Sequence, residues 1–282
     1  MEEIFMKKKQ SGIRTCMKYA VLIFVALIAL FPIFWVISNS FKTLNGISQY
    51  PPQLFPDELQ YSNYSEAISK GNILTYLKNT LILMLGNTLG TLISSSIVAY
   101  PLARMEFKGK NVVFGLILAT MMVPAIATII PQFILFRTFG WIDSFKPMIV
   151  PAFFAYPYNV FLFRQFFKGL PRDLDEAAVI DGCNKVQIFT KILAPLAKPA
   201  FITVGVLSSV FWWNEMFQPL IYINTESLKP LTIGVLSAFK VQFVNQWHLQ
   251  MAFSVIMMIP PIILFTFAQK YLVDGIKTSG LK

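Results

Sequence analysis

Asp175-Glu176-Ala177-Ala178-Val179-Ile180-Asp181-Gly182, followed ten residues later by Ile192-Leu193-Ala194-Pro195, decides how the rest of this sequence is read. It is acidic and helix-forming, and it lies between two long apolar segments where a membrane protein ordinarily has only a short loop. Asp173 with Glu176 has the spacing of a capping box, and Gly182 supplies the left-handed residue that closes a helix. Asn184 and Gln187 repeat the capping spacing, so a second helix is expected through Val186, Phe189 and Ile192, ending before Pro195. Leu174, Ala177, Ala178 and Asp181 fall at i, i+3, i+4 and i+7 and form one face. The small Ala178 would let the backbone sit deep in a partner's groove.

An amphipathic helix lying on the bilayer is the competing reading of such a loop, and it requires Lys and Arg beside large apolar residues. Here Asp173, Asp175, Glu176 and Asp181 would be repelled by anionic headgroups, so a groove on another protein is the better partner.

Outward from this loop the chain is that of a membrane protein. It has 282 residues, 55% hydrophobic and 13% charged, with a mean hydropathy of +0.59. Six apolar runs have the length an α-helix needs to cross about 30 Å of hydrocarbon: 18–41, 76–103, 110–136, 146–167, 199–222 and 249–271. Backbone groups in lipid must be paired within the segment, so an all-α, six-span fold is expected, with the loop 168–198 between spans four and five. Flanking tails cover 1–17 and 273–282. The run after Lys7-Lys8-Lys9 is too long for a signal core and has no small-x-small cleavage site, so it reads as an uncleaved first span.

The net charge of +10 is a topology signal. With the N-terminus in the cytoplasm, the inside segments carry 17 Lys and Arg and the outside segments 7. That bias places both termini and the acidic helix on the cytoplasmic side and excludes nucleic acid as the partner of the charge. Cys16 and Cys183 then lie where thiols stay reduced, and they have no metal-ligand spacing.

The spans carry further detail. Gly86, Gly90 and Ser94 are small residues four apart, a ridge for close helix approach either within the chain or to a second subunit. Prolines at 124, 131, 151, 157, 219, 260 and 261 interrupt the later spans. Outside, after the turn signals Tyr50-Pro51-Pro52 and Phe55-Pro56-Asp57, residues 63–68 have the pattern of a short surface helix. Glu215 is the one acid well inside an expected span, where an ionisable group by default faces protein or a water-filled cavity. With Trp213 and Asn214 beside it, and with Gln132 and Asn159, it is a candidate for the solute pathway. The alternative is that Asn214 and Glu215 cap broken helix ends or pair across a subunit interface. His248 is an interfacial polar residue without assigned chemistry.

The pattern Glu-Ala-Ala, three residues, Gly, nine residues, Ile-x-Leu-Pro resembles the loop by which ATP-binding-cassette importer permeases dock on their ATPase; here Ala194 stands in place of Leu. Ala99-Tyr100-Pro101-Leu102-Ala103-Arg104 with Phe107, Phe163-Arg164-Gln165-Phe166-Phe167, Trp213-Asn214-Glu215 and Gln269-Lys270-Tyr271-Leu272-Val273-Asp274-Gly275 are similar to the carbohydrate-uptake branch, in its smaller, maltose-G-type subunit. The ending Thr278-Ser279-Gly280-Leu281-Lys282 departs from the Gly-rich basic ending of that branch.

The resemblance implies an ATP-driven permease subunit in a bacterial inner membrane. Its expected partners are a second, maltose-F-like permease chain, two ATPase subunits, an external solute-binding protein, and a sugar or oligosaccharide as cargo. Asp175, Glu176, Ala177, Ala178, Asp181, Gly182 and Pro195 would be the coupling residues. No Gly-x4-Gly-Lys-Ser/Thr sequence is present, so ATP and Mg would be held by the ATPase partners, and this chain would bind no cofactor and no metal. Glycerol phosphate, amino acid or peptide uptake shares the docking loop and is the nearest alternative. A secondary transporter would carry more midplane charges or a repeat, and an intramembrane enzyme would need a nucleophile with its base.

Overall fold

The computed structural model describes the backbone of residues 2–241 and 244–280 and the side chains of 15–236, 238–239 and 245–269. The side chains of the expected tail 273–282, and of all but the last three residues of 1–17, lie outside that set. Contacts divide the chain into two compact units, one of residues 1–71 and 238–258, the other of 72–237 and 259–282.

The first unit is built on α1 (Glu2–Ser40), whose stretch Thr15–Ser40 has the length and composition to cross a bilayer. After α1 come α2 (Leu44–Ser48) and α3 (Ser62–Lys70), the latter matching the expected surface helix. Their connection is folded onto the end of α1 by buried polar groups. Asn63 Nδ2 donates to the carbonyls of Ser40 and Lys42 at 2.9 and 2.8 Å, and Ser40 Oγ pairs with Tyr64 Oη at 2.7 Å. Lys42 Nζ donates to Gln53 O and lies over the Trp35 ring. Burial holds its amine below the ordinary lysine value. Each bond replaces one that water would make, so the loop keeps one shape although it has little apolar core.

The second unit is organised around α4 (Ile73–Arg104), which packs on a broken segment and on a later helix. α5 (Lys110–Thr120) and α6 (Ala125–Thr138) follow, then α7 (Lys146–Ile149), a 3-10 turn (Val150–Phe154) and α8 (Pro157–Gly169). Next come α9 (Asp173–Ile180), α10 (Lys185–Gln187), a π-helical stretch (Ile188–Leu193), α11 (Ala194–Leu196), α12 (Lys198–Asn214), α13 (Phe217–Tyr222) and α14 (Leu231–Ala238). The chain then returns to the first unit with a two-residue hairpin, β1 (Lys240–Val241) with β2 (Val244–Asn245), and α15 (Trp247–Gly280) begins there and ends in the second.

The six expected spans do not all form as single helices. Among the described residues three helices are long and apolar enough to cross a membrane, and two further pairs are bent, α5–α6 by 92° and Lys185–Leu196 against α12 by 75°. Proline explains most of the breaks, since it removes a donor and clashes with the preceding turn. Pro124 stands between α5 and α6, and Pro147, Pro151 and Pro157 divide the expected fourth span into α7, the 3-10 turn and α8.

The ridge on α4 resolves as packing within the chain. A Cβ on Gly86 would meet Ile149 at 3.0 Å, and one on Gly90 would meet Ala152 and Phe153 at 3.0 Å. Ser94 Oγ donates to Ala152 O at 2.7 Å and accepts from Ala155 N at 3.1 Å, just where Ala155 takes φ +64°. The small residues therefore admit a non-helical stretch, and the serine satisfies the backbone groups that the break leaves open.

Candidate functional site

The acidic stretch forms the two-turn helix α9, and its far end is closed as the sequence requires. Gly182 has φ +79°, Cys183 N–H donates to Ala178 O at 2.9 Å, and Gly182 N–H donates to Val179 O at 3.0 Å. These two bonds make a Schellman closure, with Cys183 and Ala178 packed in one apolar cluster. Asn184 and Gln187 then form a reciprocal capping box that starts α10.

Three expectations about this loop are corrected. Asp173 does not cap α9: the helix begins at Asp173 itself, and the carbonyl of Arg172 accepts from Asp175 N and Glu176 N. Ala178 does not offer itself to a partner, because it is 3% exposed and buried among Ala99, Tyr100, Phe163, Phe167 and Ile188. Its small side chain brings α9 close to this chain's own core. The second helix passes through Val186, Phe189 and Ile192, and its π-helical stretch turns Ile188 and Leu193 inward while Val186 stays exposed. Finally, the helix does not stop before Pro195. Ala194 N–H donates to Phe189 O, five residues back, and that wider register carries α11 through the proline to Leu196.

Asp175 also departs from the expected outward role. Its Oδ2 lies 3.0 Å from Arg104 Nε, at an angle that makes an ion pair rather than a directed hydrogen bond, and its Oδ1 is buried without a donor among the described residues. Arg104 Nη1 and Nη2 donate to Leu170 O at 2.9 Å and Pro171 O at 2.8 Å. One guanidinium at the end of α4 thus fixes both the end of α8 and the first turn of α9. This brace was not read from the sequence. The available signal was an arginine at the end of the second apolar run, opposite a loop otherwise rich in acid.

What α9 leaves outward is Asp173, Glu176, Ala177, Val179, Ile180 and Asp181, all exposed. Val179 is 63% and Ile180 86% exposed, so two β-branched apolar side chains stand in the open between carboxylates. Pro195 is exposed in α11, away from the α9 helix in sequence.

Nearby, Glu106 accepts from Lys110 Nζ at 3.3 Å and Arg172 Nη2 at 3.4 Å. The Lys110 bond, more than Arg172, keeps its carboxyl below the usual glutamate range.

The candidate pathway residues behave differently. α12 ends at Asn214, and Glu215 takes an extended conformation with its Oε1 accepting from Gln218 N at 2.9 Å. Its carbonyl accepts from Thr232 Oγ1 at 2.8 Å. The acid therefore caps the start of α13, the alternative its position allowed. Asn214 is exposed and donates to Val210 O at 2.8 Å. Trp213 is 4% exposed, so its indole belongs to the packing. Gln132 is exposed on α6 and bonds Thr128 at 3.1 Å, and Asn159 is half-buried on α8. No hydrogen bond joins Gln132, Asn159, Asn214 or Glu215 to another of the four among the described residues.

Comparison with known proteins agrees with this architecture. Residues 86–278 match the family described as "Binding-protein-dependent transport system inner membrane component". The chain is 38% identical over 263 residues to the arabinooligosaccharides transport system permease protein AraQ of Bacillus subtilis, covering 92% of each. It is 30% identical over 253 residues to the melibiose/raffinose/stachyose import permease protein MelC of the same organism, covering 89% of this chain and 91% of that one. Among solved structures it superposes with a TM-score of 0.82 at 27% identity, over 92% of this chain and 96% of the other, on a chain from a bacterial ABC transporter involved in the import of the acidic polysaccharide alginate.

Proposed function

The chain belongs to the binding-protein-dependent transport system inner membrane components, and from that premise we infer that it is a permease subunit of an ATP-driven importer for a sugar or oligosaccharide. It is a multi-pass membrane protein, and the relatives are named as permeases for arabinooligosaccharides and for melibiose, raffinose and stachyose. Those names favour a sugar over glycerol phosphate, amino acids or peptides. The chain works in a bacterial inner membrane with six crossings and both termini in the cytoplasm, three of the crossings being broken helices. It pairs with a second permease chain, receives cargo from an external binding protein, and leaves ATP and Mg to two separate ATPase subunits.

The observation that carries the coupling mechanism is the outer face of α9. Two exposed β-branched residues flanked by Glu176 and Asp181 suit a groove that is apolar at its base and basic at its rim. Closure of the ATPases on ATP would push this short rod, and a helix braced at both ends passes displacement on where a flexible loop would absorb it. In the test, Ile180→Lys and Glu176→Lys are expressed separately with the rest of the importer. Each is expected to leave the chain in the membrane, release the ATPase on purification, and abolish growth on the transported sugar. Normal co-purification of ATPase with both variants would overturn the assignment.

A further inference from the structure

A cavity of about 440 Å³ opens beside the docking loop, lined by Glu106, Lys110, Val112, Arg164, Lys168 and Arg172 among others. Four cations face one carboxylate there, and the carboxylate is shared by Lys110 and Arg172. Arg164 is 7% exposed. Its Nε donates to Leu102 O at 3.0 Å and its guanidinium lies 3.7 Å from the centre of the Phe114 ring, so the group is held in place. Its two terminal nitrogens have no acceptor among the described residues, and Lys168 has no ion-pair partner among them. Arg164, then burial, then Lys110 and Arg172 press the Lys168 amine below its ordinary value. The pocket is built to receive an anion.

The walls say which kind. Lys110 begins the expected third span, and Lys168 stands one residue beyond the expected fourth, which puts the cations at headgroup depth on the side with the positive charge bias. Val112 lines the pocket and is 67% exposed, and Leu116, one turn further along α5, is 64% exposed. A basic floor with an apolar flank leading into the bilayer fits a phosphodiester with acyl chains attached, and basic pockets of this kind hold acidic lipid headgroups. A free anion would gain nothing from Val112 and Leu116. We propose that this pocket binds the phosphate of an anionic phospholipid of the cytoplasmic leaflet, the diester oxygens resting on Arg164 and Lys168 and an acyl chain lying along Val112 and Leu116.

The inference needs only a chain that crosses a membrane, and it is read without transport or ATPase activity. The full-length chain, purified in its assembly, is equilibrated with equal amounts of phosphatidylglycerol and phosphatidylcholine, and bound lipid is counted by native mass spectrometry. The wild-type chain should retain phosphatidylglycerol at least roughly tenfold over phosphatidylcholine. Arg172→Gln, at an exposed side chain, should reduce that retention about fivefold, the usual effect of one basic residue at an anionic surface. Lys168→Glu should reduce it further, with phosphatidylcholine binding and thermal midpoint unchanged in both. Equal retention of the two lipids by the wild type, or unchanged phosphatidylglycerol in both variants, would overturn the proposal. So would displacement of the lipid by millimolar inorganic phosphate, which would mark a free-anion site. ATPase lost from the variants with lipid retention intact would assign the pocket to an acidic protein segment and equally overturn it.

Discussion

Arg104→Ala should loosen α9 without unfolding the chain. The side chain is 3% exposed and its partner Asp175 23%. Removing one member of a buried pair costs roughly 3–5 kcal/mol, and two charge-assisted bonds to the carbonyls of Leu170 and Pro171 go with it. Water reaching Asp175 offsets part of that, so about 2–3 kcal/mol of local stability should be lost. Cys183 reports it directly, because it is half-buried in the Schellman closure of α9 and Cys16→Ser leaves it the single thiol. At tenfold per 1.4 kcal/mol, maleimide labelling of Cys183 through local opening should accelerate roughly 30- to 140-fold in membranes. Arg104→Ala with Asp175→Ala should recover part of the loss, since no unpaired acid then remains, giving a coupling of about 1–3 kcal/mol. A labelling rate within twofold of the parent would refute the bracing role, and so would strict additivity of the two substitutions.

Gly90→Leu drives a side chain into Ala152 and Phe153 and should lower stability by about 1–3 kcal/mol through overpacking, read as a fall in the detergent melting midpoint; an unchanged midpoint with a lost subunit would move the ridge to an interface. Ser94→Ala strips the bonds to Ala152 O and Ala155 N and should cost about 1–3 kcal/mol in the same assay, the penalty of leaving buried backbone groups unpaired. Glu215→Ala removes the cap of α13 and should cost about 1 kcal/mol, whereas Glu215→Gln keeps an acceptor oxygen and should leave the midpoint in place; equal loss in both would show that the charge, not the cap, matters. Asp143 accepts from Thr225 Oγ1 and from the N–H groups of Thr225 and Asn224, bonds that hold its carboxyl below the ordinary 3.8. A depressed carboxylate stabilises the fold fully above that ordinary value and fades as pH falls through the lower folded one. Pepsin nicking at 222–226 should therefore rise steeply with acid below about pH 3.8, and Asp143→Asn should flatten that rise.

How much could be read in advance follows from how local each signal is. Gly182 and the pair Asn184 and Gln187 specify their turns through bonds within six residues, so both were legible. Asp173 looked equally good as a cap, but its carboxylate was not used, and the start of α9 is fixed by Arg104, seventy residues away in the chain. No local rule contains that pairing. Gly86, Gly90 and Ser94 announced close approach without naming the partner, since small side chains admit any backbone that fits. Pro151 and Pro157 marked the fourth span as interrupted, but hydropathy counts apolar residues and is blind to donors, so the form of the break was not legible. The prolines at 147, 151 and 157 remove three of them, and only the Ser94 hydroxyl shows how the loss is tolerated. Glu215 could be read as a cargo ligand or as a helix cap, because a midspan acid is costly and an acid at the N-terminus of a short helix satisfies the same constraint.

If α9 is the lever, α4 is its arm. The guanidinium that grips the first turn of α9 belongs to the last residue of α4, and Ala99, Tyr100, Leu102 and Ala103 from that helix share the cluster that buries Ala178. Higher up, the same rigid rod touches α12 through Thr88 Oγ1 and Ser209 Oγ at 3.2 Å, less than two turns before the break at Glu215. Packed helices move as units because interiors yield little, so displacement at α9 should reappear where the backbone is not helical. The extended residue between α12 and α13 is such a place, capped by a single carboxylate bond and one threonine hydroxyl. The two regions of the sequence that looked chemically active, the acidic loop and the Trp-Asn-Glu step, are on this account the input and the yielding point of one mechanical path. Loosening the second should slow transport without disturbing the first: Glu215→Ala, which strips the carboxylate bond at the start of α13, should retain ATPase binding and reduce uptake, and uptake at the parental rate would break the path at α12.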